Sequence, residues 1–145
     1  MKISNKTKYG IQFMLNLAVS YGDEYTNIKD IAQKENISVK FLENIVSIIK
    51  PSELIKVKRG ASGGYRLSKS PLEISLLEII ELLEGEVFQN ENMNENTGHI
   101  TDICFITNNF LERFQKNASD FLQNITLAEL VKEFHNKQNN YMFYI

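Results

Sequence analysis

Three of the chain's seven glycines, Gly60, Gly63 and Gly64, fall within five residues, inside a stretch that is otherwise basic and β-prone. Gly60-Ala61-Ser62-Gly63-Gly64 does not continue a helix, because glycine there loses the most backbone entropy and has no side chain to bury. Leu54, Val57, Tyr65 and Leu67 on either side suit short strands, so the segment predicts a hairpin reversed at its glycines. Lys56, Lys58, Arg59 and Arg66 flank the tip and make that hairpin cationic.

Everything before the hairpin reads as helix. From roughly Asn5 to Tyr21, the residues Met14, Leu17, Ala18 and Tyr21 recur at helical spacing, Phe13 widens the stripe, and Gly22-Asp23 ends it. A short helix follows from about Asn27 to Lys34, with Ile28, Ile31 and Ala32 on one face. Asn36 suits a left-handed turn, and Ile37 can plug the core beneath it. Ser38 then suits an N-cap for a helix whose Leu42, Ile45, Val46 and Ile49 fall at i, i+3, i+4 and i+7, until Pro51 stops it. Helix, helix, turn, helix and basic hairpin is the order of a winged helix-turn-helix, so the fold class is mainly α with a small β-wing.

After the hairpin the pattern returns to helix. Ser75 and Glu78 form an S-x-x-E capping box for a helix to Glu84, closed by Gly85 as a left-handed cap. Residues 86–100 are polar and Asn-rich and predict a mobile loop. From Asp102, the residues Ile103, Ile106, Phe110, Phe114, Ala118, Phe121 and Ile125 recur every three or four positions over about six turns. A small domain has little to cover so long a stripe, so a second subunit is its expected partner, with Ile106, Phe110, Phe114 and Phe121 at the contact. Thr126 and Glu129 make a second capping box for a last short helix. Asn136 to Asn140 (NKQNN) reads as a polar spacer before the apolar tail Tyr141, Met142, Phe143, Tyr144 and Ile145. The organisation expected is a DNA-binding part over residues 1–70 and a helical dimerisation and effector part over 71–145.

Composition narrows the function. Net charge is −2, but residues 1–70 hold twelve basic and six acidic side chains, whereas residues 71–145 hold four and twelve. A basic working face joined to an acidic body suits a nucleic-acid partner. The 145 residues include one cysteine, which makes no internal disulfide and no tetrathiolate site. No run approaches a membrane span, and MKISNKTKYG has neither an apolar core nor a cleavage site, so a cytoplasmic protein is expected. His99 and His135 stand without a matched ligand pattern, so no metal is assigned. No nucleophile elbow, P-loop, H-E-x-x-H or cysteine–histidine arrangement is present, so catalysis has no support. Glu78, Glu81 and Glu84 read as an exposed acidic face.

Ser38, Lys40, Glu43 and Asn44 are the solvent-facing positions at the start of the third helix. An amide can pair with adenine and a carboxylate can accept from cytosine, so Asn44 and Glu43 can carry sequence information, while Lys40 suits a phosphate. Arg59 at the hairpin tip can enter a narrow minor groove. Gly63 and Gly64 would let the backbone approach phosphates without a Cβ, and Lys6, Lys8 and Tyr9 begin the first helix, where amide N–H groups favour an anion.

The motifs MKIS-x-K-x-x-YG, DIA-x-x-x-x-IS-x-x-FLE-x-I, RG-x-x-GGY-x-L, EI-x-LLEI-IELLEG and FLQNITLAEL together resemble the Rrf2 family of bacterial winged-helix transcription regulators over nearly the whole chain. The resemblance implies a homodimeric, sequence-specific repressor acting on double-stranded DNA, and it strengthens the roles of Ser38, Glu43, Asn44 and Arg59. Lys58 stands where the family often has an apolar residue, which makes this wing more basic. Cluster-binding members carry three cysteines; here Asn92 and Gly98 fall at two of those positions and only Cys104 remains, so no cofactor is expected. Cys104 reads as a small buried apolar residue, with redox or nitric-oxide sensing, or a share in an iron–sulfur cluster, as the alternative. The C-terminal tail resembles that of the family's cysteine-metabolism repressors, whose partner is a cysteine synthase with an active site that takes a C-terminal isoleucine carboxylate. Ile145 is the matching residue, and folding of the tail back onto its own subunit is the competing expectation.

Overall fold

The computed structural model describes residues 2–88 and 101–142. Helix α1 (Asn5–Val19) starts at Ser4, whose hydroxyl accepts from Thr7 N–H at 3.2 Å. It ends before the expected Tyr21, because the Ser20 hydroxyl donates back to the Asn16 carbonyl and caps the last turn. Tyr21 therefore lies outside the helix and half in solvent, while Thr7, Gly10, Phe13, Met14, Leu17 and Ala18 are buried.

Helix α2 (Ile28–Glu35) is capped by Asn27, which accepts from Lys29 N–H at 2.8 Å. Asn36 adopts φ 55°, ψ 47°, and Ile37 N–H closes onto the Ala32 carbonyl at 2.9 Å as its side chain enters the core. Ser38 caps helix α3 (Val39–Ile49), and Pro51 sits within a 3-10 turn, Lys50–Ser52, that tightens the chain on its way out. Strands β1 (Ile55–Lys58) and β2 (Gly64–Leu67) pair antiparallel, with Ile55 opposite Leu67 and Lys58 opposite Gly64. Thr26 adds a rung on the other edge of β2, exchanging 2.8 and 2.9 Å bonds with Tyr65. Gly64 makes that rung possible: at its φ of +154° a Cβ would strike the Thr26 carbonyl.

Helix α4 (Leu76–Glu84) keeps half of the expected capping box. Ser75 accepts from Glu78 N–H at 3.2 Å, but the Glu78 carboxylate turns to Lys69 at 3.3 Å. A complete box stands just upstream, at Ser70 and Glu73 around the 3-10 turn Pro71–Glu73. Gly85 ends α4 with φ 86° but ψ −174°, so the chain leaves in an extended direction rather than through a left-handed cap. Most of the loop expected at 86–100 lies outside the described residues.

Helix α5 (Asp102–Asn124) is capped by Thr101, and it buries none of its residues. Helix α6 (Leu127–Met142) is long rather than short and includes the whole of NKQNN. At Thr126 the second box keeps its other half: the Glu129 carboxylate accepts from Thr126 N–H at 3.2 Å. Bonds of 2.8 Å from Leu76 N–H to Ile125 O and 3.0 Å from Leu127 N–H to Ile74 O tie the starts of α4 and α6 together. Leu127 is fully buried there, and α6 packs against α1. The core crosses residue 70 without a break: Ile74, Ile79, Leu83 and Leu127 share a cluster with Phe13, Met14, Leu42, Ile45 and Ile49.

The exposed acidic face expected on α4 is not free carboxylate: Glu78 and Glu81 are half-buried, Glu78 pairs with Lys69, and Glu84 is engaged by α1. Glu84 Oε1 accepts from Ser4 N–H at 2.9 Å, from the Ser4 hydroxyl at 2.5 Å and from the Thr7 hydroxyl at 2.6 Å. The Ser4 hydroxyl, then Thr7 and the Ser4 amide, hold its pKa down from 4.5 to about 2, with Lys6 nearby adding to the effect. A carboxyl whose folded pKa is depressed stabilises fully above its unfolded value and loses that contribution as pH falls through the folded one. Melting temperature should therefore drop between pH 4.5 and about 2, and Glu84→Gln should flatten that limb in thermal scans across the acid range. A mutant curve parallel to wild type would remove the bond from the stability of the fold.

Candidate nucleic-acid interface

The outward face of α3 lies opposite Leu42, Ile45, Val46 and Ile49, and it carries Lys40, Asn44 and Ser47, with Glu43 on one flank and Phe41 on the other. Ser38 holds the first turn by accepting from Phe41 N–H at 3.1 Å, so its oxygen is already engaged. Lys40, Glu43 and Asn44 are exposed. Sequence reading missed two residues here. Ser47 is exposed, with its hydroxyl donated to the Asn44 carbonyl at 2.6 Å. Phe41 stands edge-on to Tyr9, ring centres 5.7 Å apart. The i+3 offset of Ser47 from Asn44 was a usable signal for the first; nothing local marks Phe41, whose partner Tyr9 comes from α1.

The wing separates its cations. Arg59 is exposed at the end of β1, as are Lys56 and Lys58. Arg66 instead turns inward, 3.1 Å from the Asp23 carboxylate and 5.0 Å from the centre of the Tyr25 ring. Lys58 Nζ approaches the same ring at 5.8 Å. Tyr25 and Asp23, in the α1–α2 connection, thus belong to the base of the wing, though no local pattern announces them. Gly63 is buried, its N–H donating to Gly60 O at 3.0 Å, and a Cβ on it would strike the Lys58 carbonyl. Its missing side chain lets the hairpin close on itself, because the Cβ position is taken by the wing's own backbone.

Helix α1 joins the two parts. It packs on α3, through Tyr9 among others, and on β2, through Phe13 edge-on to Tyr65 at 5.7 Å. Lys8 is exposed, its ammonium 5.6 Å from the Tyr9 ring, while Lys6 and Tyr9 are half-buried. The anion site expected at the start of α1 is already partly filled, because Glu84 takes the Ser4 amide. An acidic residue in the last turn of α4, with no basic residue beside it, was the available hint, since a helix C-terminus favours cations.

Helix α5 leaves Ile103, Phe105, Ile106, Phe110, Phe114 and Phe121 exposed, each by more than half. Phe110, Arg113, Phe114, Asn117 and Ala118 line a shallow apolar hollow along it. Cys104 is exposed rather than buried; Thr101 caps its amide, and the Asn108 amide lies 3.7 Å from its sulfur. Tyr141 and Met142 end α6 in solvent, and Phe143, Tyr144 and Ile145 lie outside the described residues. No helix of the described residues is long and apolar enough to cross a membrane.

Comparison with known proteins follows the same lines. Residues 3–133 match the Rrf2 family, described as iron-dependent transcriptional regulators. The HTH-type transcriptional regulator CymR of Bacillus subtilis is 34% identical over 145 residues, which is 100% of each chain. The HTH-type regulator IscR of Yersinia enterocolitica is 30% identical, covering 97% of this chain and 88% of its own. Among solved structures, CymR, described as the global cysteine regulator of B. subtilis, superimposes with a TM-score of 0.80 at 33% identity, covering 92% of this chain and 98% of its own.

The iron in the family's description does not fit the donors present. The chain has one thiol, and no group of three or more His, Cys, Asp or Glu among the described residues is placed to hold a metal. A single thiolate does not hold an iron–sulfur cluster. The matched relatives are regulators and not enzymes, and with its helix-turn-helix, its cationic wing and the match along nearly its whole length this chain belongs to the Rrf2 family of transcriptional regulators.

Proposed function

We propose that the chain is a homodimeric repressor that reads double-stranded DNA through α3 and the wing. The observation that carries this is the common mounting of the exposed α3 start and the exposed wing cations on α1, in the basic half of the chain. Glu43 and Asn44 supply base-edge hydrogen bonds, Lys40, Lys6 and Lys8 meet phosphates, and Arg59, with Lys58 behind it, enters the minor groove. Tyr9 acts through Phe41 as the shelf under α3, Ser38 holds the reading turn, and Gly63 shapes the wing. Affinity should fall steeply and log-linearly with salt. In a titration at fixed salt Arg59→Ala should cost about 1–3 kcal/mol on a selected operator. Unchanged affinity would take the wing out of the reading surface.

The dimer forms on α5. Six large apolar side chains more than half exposed on one helix, with Leu111 exposed beside them, are more than an isolated subunit usually leaves in water. Ile106, Phe110, Phe114 and Phe121 fill the contact. Phe114→Asp should bury an unpaired charge there and yield folded monomers by sedimentation; a stable mutant dimer would refute the assignment.

The regulator represses cysteine-metabolism genes together with a cysteine synthase that takes the C-terminal tail. The likeness to CymR supports the pathway, and α6 supports the delivery. Because the helix continues through Asn136–Asn140 to Met142, the tail leaves from a stiff rod rather than a flexible spacer, which lowers the ordering cost of docking. Tyr141 and Met142, the described part of the tail, are exposed and so accessible to a partner. Removing Ile145 alone should abolish calorimetric binding to the cysteine synthase of the same organism and leave the melting temperature unchanged; an intact complex would be fatal to the docking role. The exposure of Cys104 favours a second reading, in which that thiol senses oxidant or nitric oxide.

A further inference from the structure

We propose that Glu84 is a positioning residue for DNA binding, holding the start of α1 where Lys6 and Lys8 can meet phosphates. This rests on the DNA-binding reading above and adds to it a residue from the acidic half of the chain.

Three bonds from the first turn of α1 converge on one oxygen of Glu84, and the donors are fixed differently. Ser4 is the N-cap of α1 and donates through both amide and hydroxyl. Thr7 is fully buried one turn later. Lys6 lies between the two and Lys8 directly follows, so the backbone carrying both ammonium groups is pinned to the last turn of α4 on either side of Lys6. One turn further on, Gly10 lies so close to Leu83 that a Cβ would strike the leucine side chain. Apolar contact thus fixes the distance between α1 and α4, and the Glu84 bonds fix the rotation and the start of α1. A frayed first turn would leave Lys6 and Lys8 on a mobile strand, where each phosphate contact must also bear the ordering entropy.

A negative charge near a DNA-facing helix end has an opposite effect as well, since it repels phosphate. Here the carboxylate is spent on three donors and faces Lys6, so its field is offset locally. The two effects separate by substitution. Glu84→Gln keeps an oxygen acceptor and removes the charge, whereas Glu84→Ala removes both.

The test uses the full chain and a mixed-sequence duplex at low salt, with affinity measured by fluorescence anisotropy over a salt series. Glu84→Gln should bind within about two-fold of wild type, while Glu84→Ala should lose about one order of magnitude and about two units of the log–log salt slope per subunit, the share of the Lys6 and Lys8 phosphate contacts. Adding Lys6→Ala and Lys8→Ala to Glu84→Ala should cost little more, because the same contacts are already lost. Thr7→Val, close in shape and lacking only the hydroxyl, should give a smaller loss in the same direction and serves as the readout if Glu84→Ala does not fold. Equal or tighter binding by Glu84→Ala, or a loss fully additive with the lysine changes, would overturn the positioning role. In the fallback, Thr7→Val binding like wild type would do the same. A wild-type chain that shows no salt-dependent binding to duplex would instead refute the DNA-binding reading and this proposal with it.

Discussion

Burial of α1 is the constraint on which the rest of this structure depends. The helix contacts α2, α3, α4, α6 and β2, and its buried residues Thr7, Gly10, Phe13, Met14, Leu17 and Ala18 wrap around more than one face. A helix enclosed on several sides leaves its neighbours little freedom, because interiors pack near crystal density and each partner's position limits the next. The start of α3 and the base of the wing hold a constant relation for this reason, although β1 and β2 have four residues each and a two-stranded sheet alone is barely stable. Thr26 and Phe13, both gripping Tyr65, supply what the short ladder lacks.

How much of this was legible in the sequence depends on distance along the chain. Asn27, Asn36, Ile37 and Ser38 act on neighbours within about a turn, and the α2–α3 corner is built as their pattern indicates. The hairpin, the span of α5 and the start of α6 were readable for the same reason. Glu84 is eighty residues from Ser4, and an acidic side chain at a helix C-terminus hints at a partner without saying which one. Arg66 looked like one more wing cation, yet Asp23 and Tyr25, brought beside it by Thr26, turn it inward. Gly63 was expected to admit a phosphate where a Cβ would clash; the group that comes close at that Cβ position is the wing's own backbone.

Asn136–Asn140 misleads for a thermodynamic reason. Asparagine and lysine side chains suggest a solvated spacer when judged singly. The cost of a helix lies in its nucleus, however, and α6 is nucleated where Leu127 is buried and Thr126 is held by Glu129. Adding further turns to an anchored helix then costs little, even for poor helix formers. Both half-formed capping boxes show the complementary point. Sequence specifies a pair of groups able to bond, and tertiary neighbours such as Lys69 decide which bond is made.

The charge asymmetry acquires a structural sense from the same contacts. Opposite halves of a chain would attract wherever they met, and a broad meeting would neutralise the face proposed to bind DNA. Among the described residues, the contacts between the halves are mainly apolar, through Ile74, Ile79, Leu83 and Leu127. The Lys69–Glu78 pair lies on the surface, where such pairs contribute about 0–1 kcal/mol, and Glu84 is satisfied chiefly by hydroxyl and amide donors. Lys40, Lys56, Lys58 and Arg59 form no ion pair among the described residues. An apolar seam lets an acidic body carry a basic face without quenching it. The long-range field of the body still opposes binding, but solvent ions screen it within about 10 Å at 0.1 M salt, whereas a cation at the wing tip would act on phosphate at contact distance.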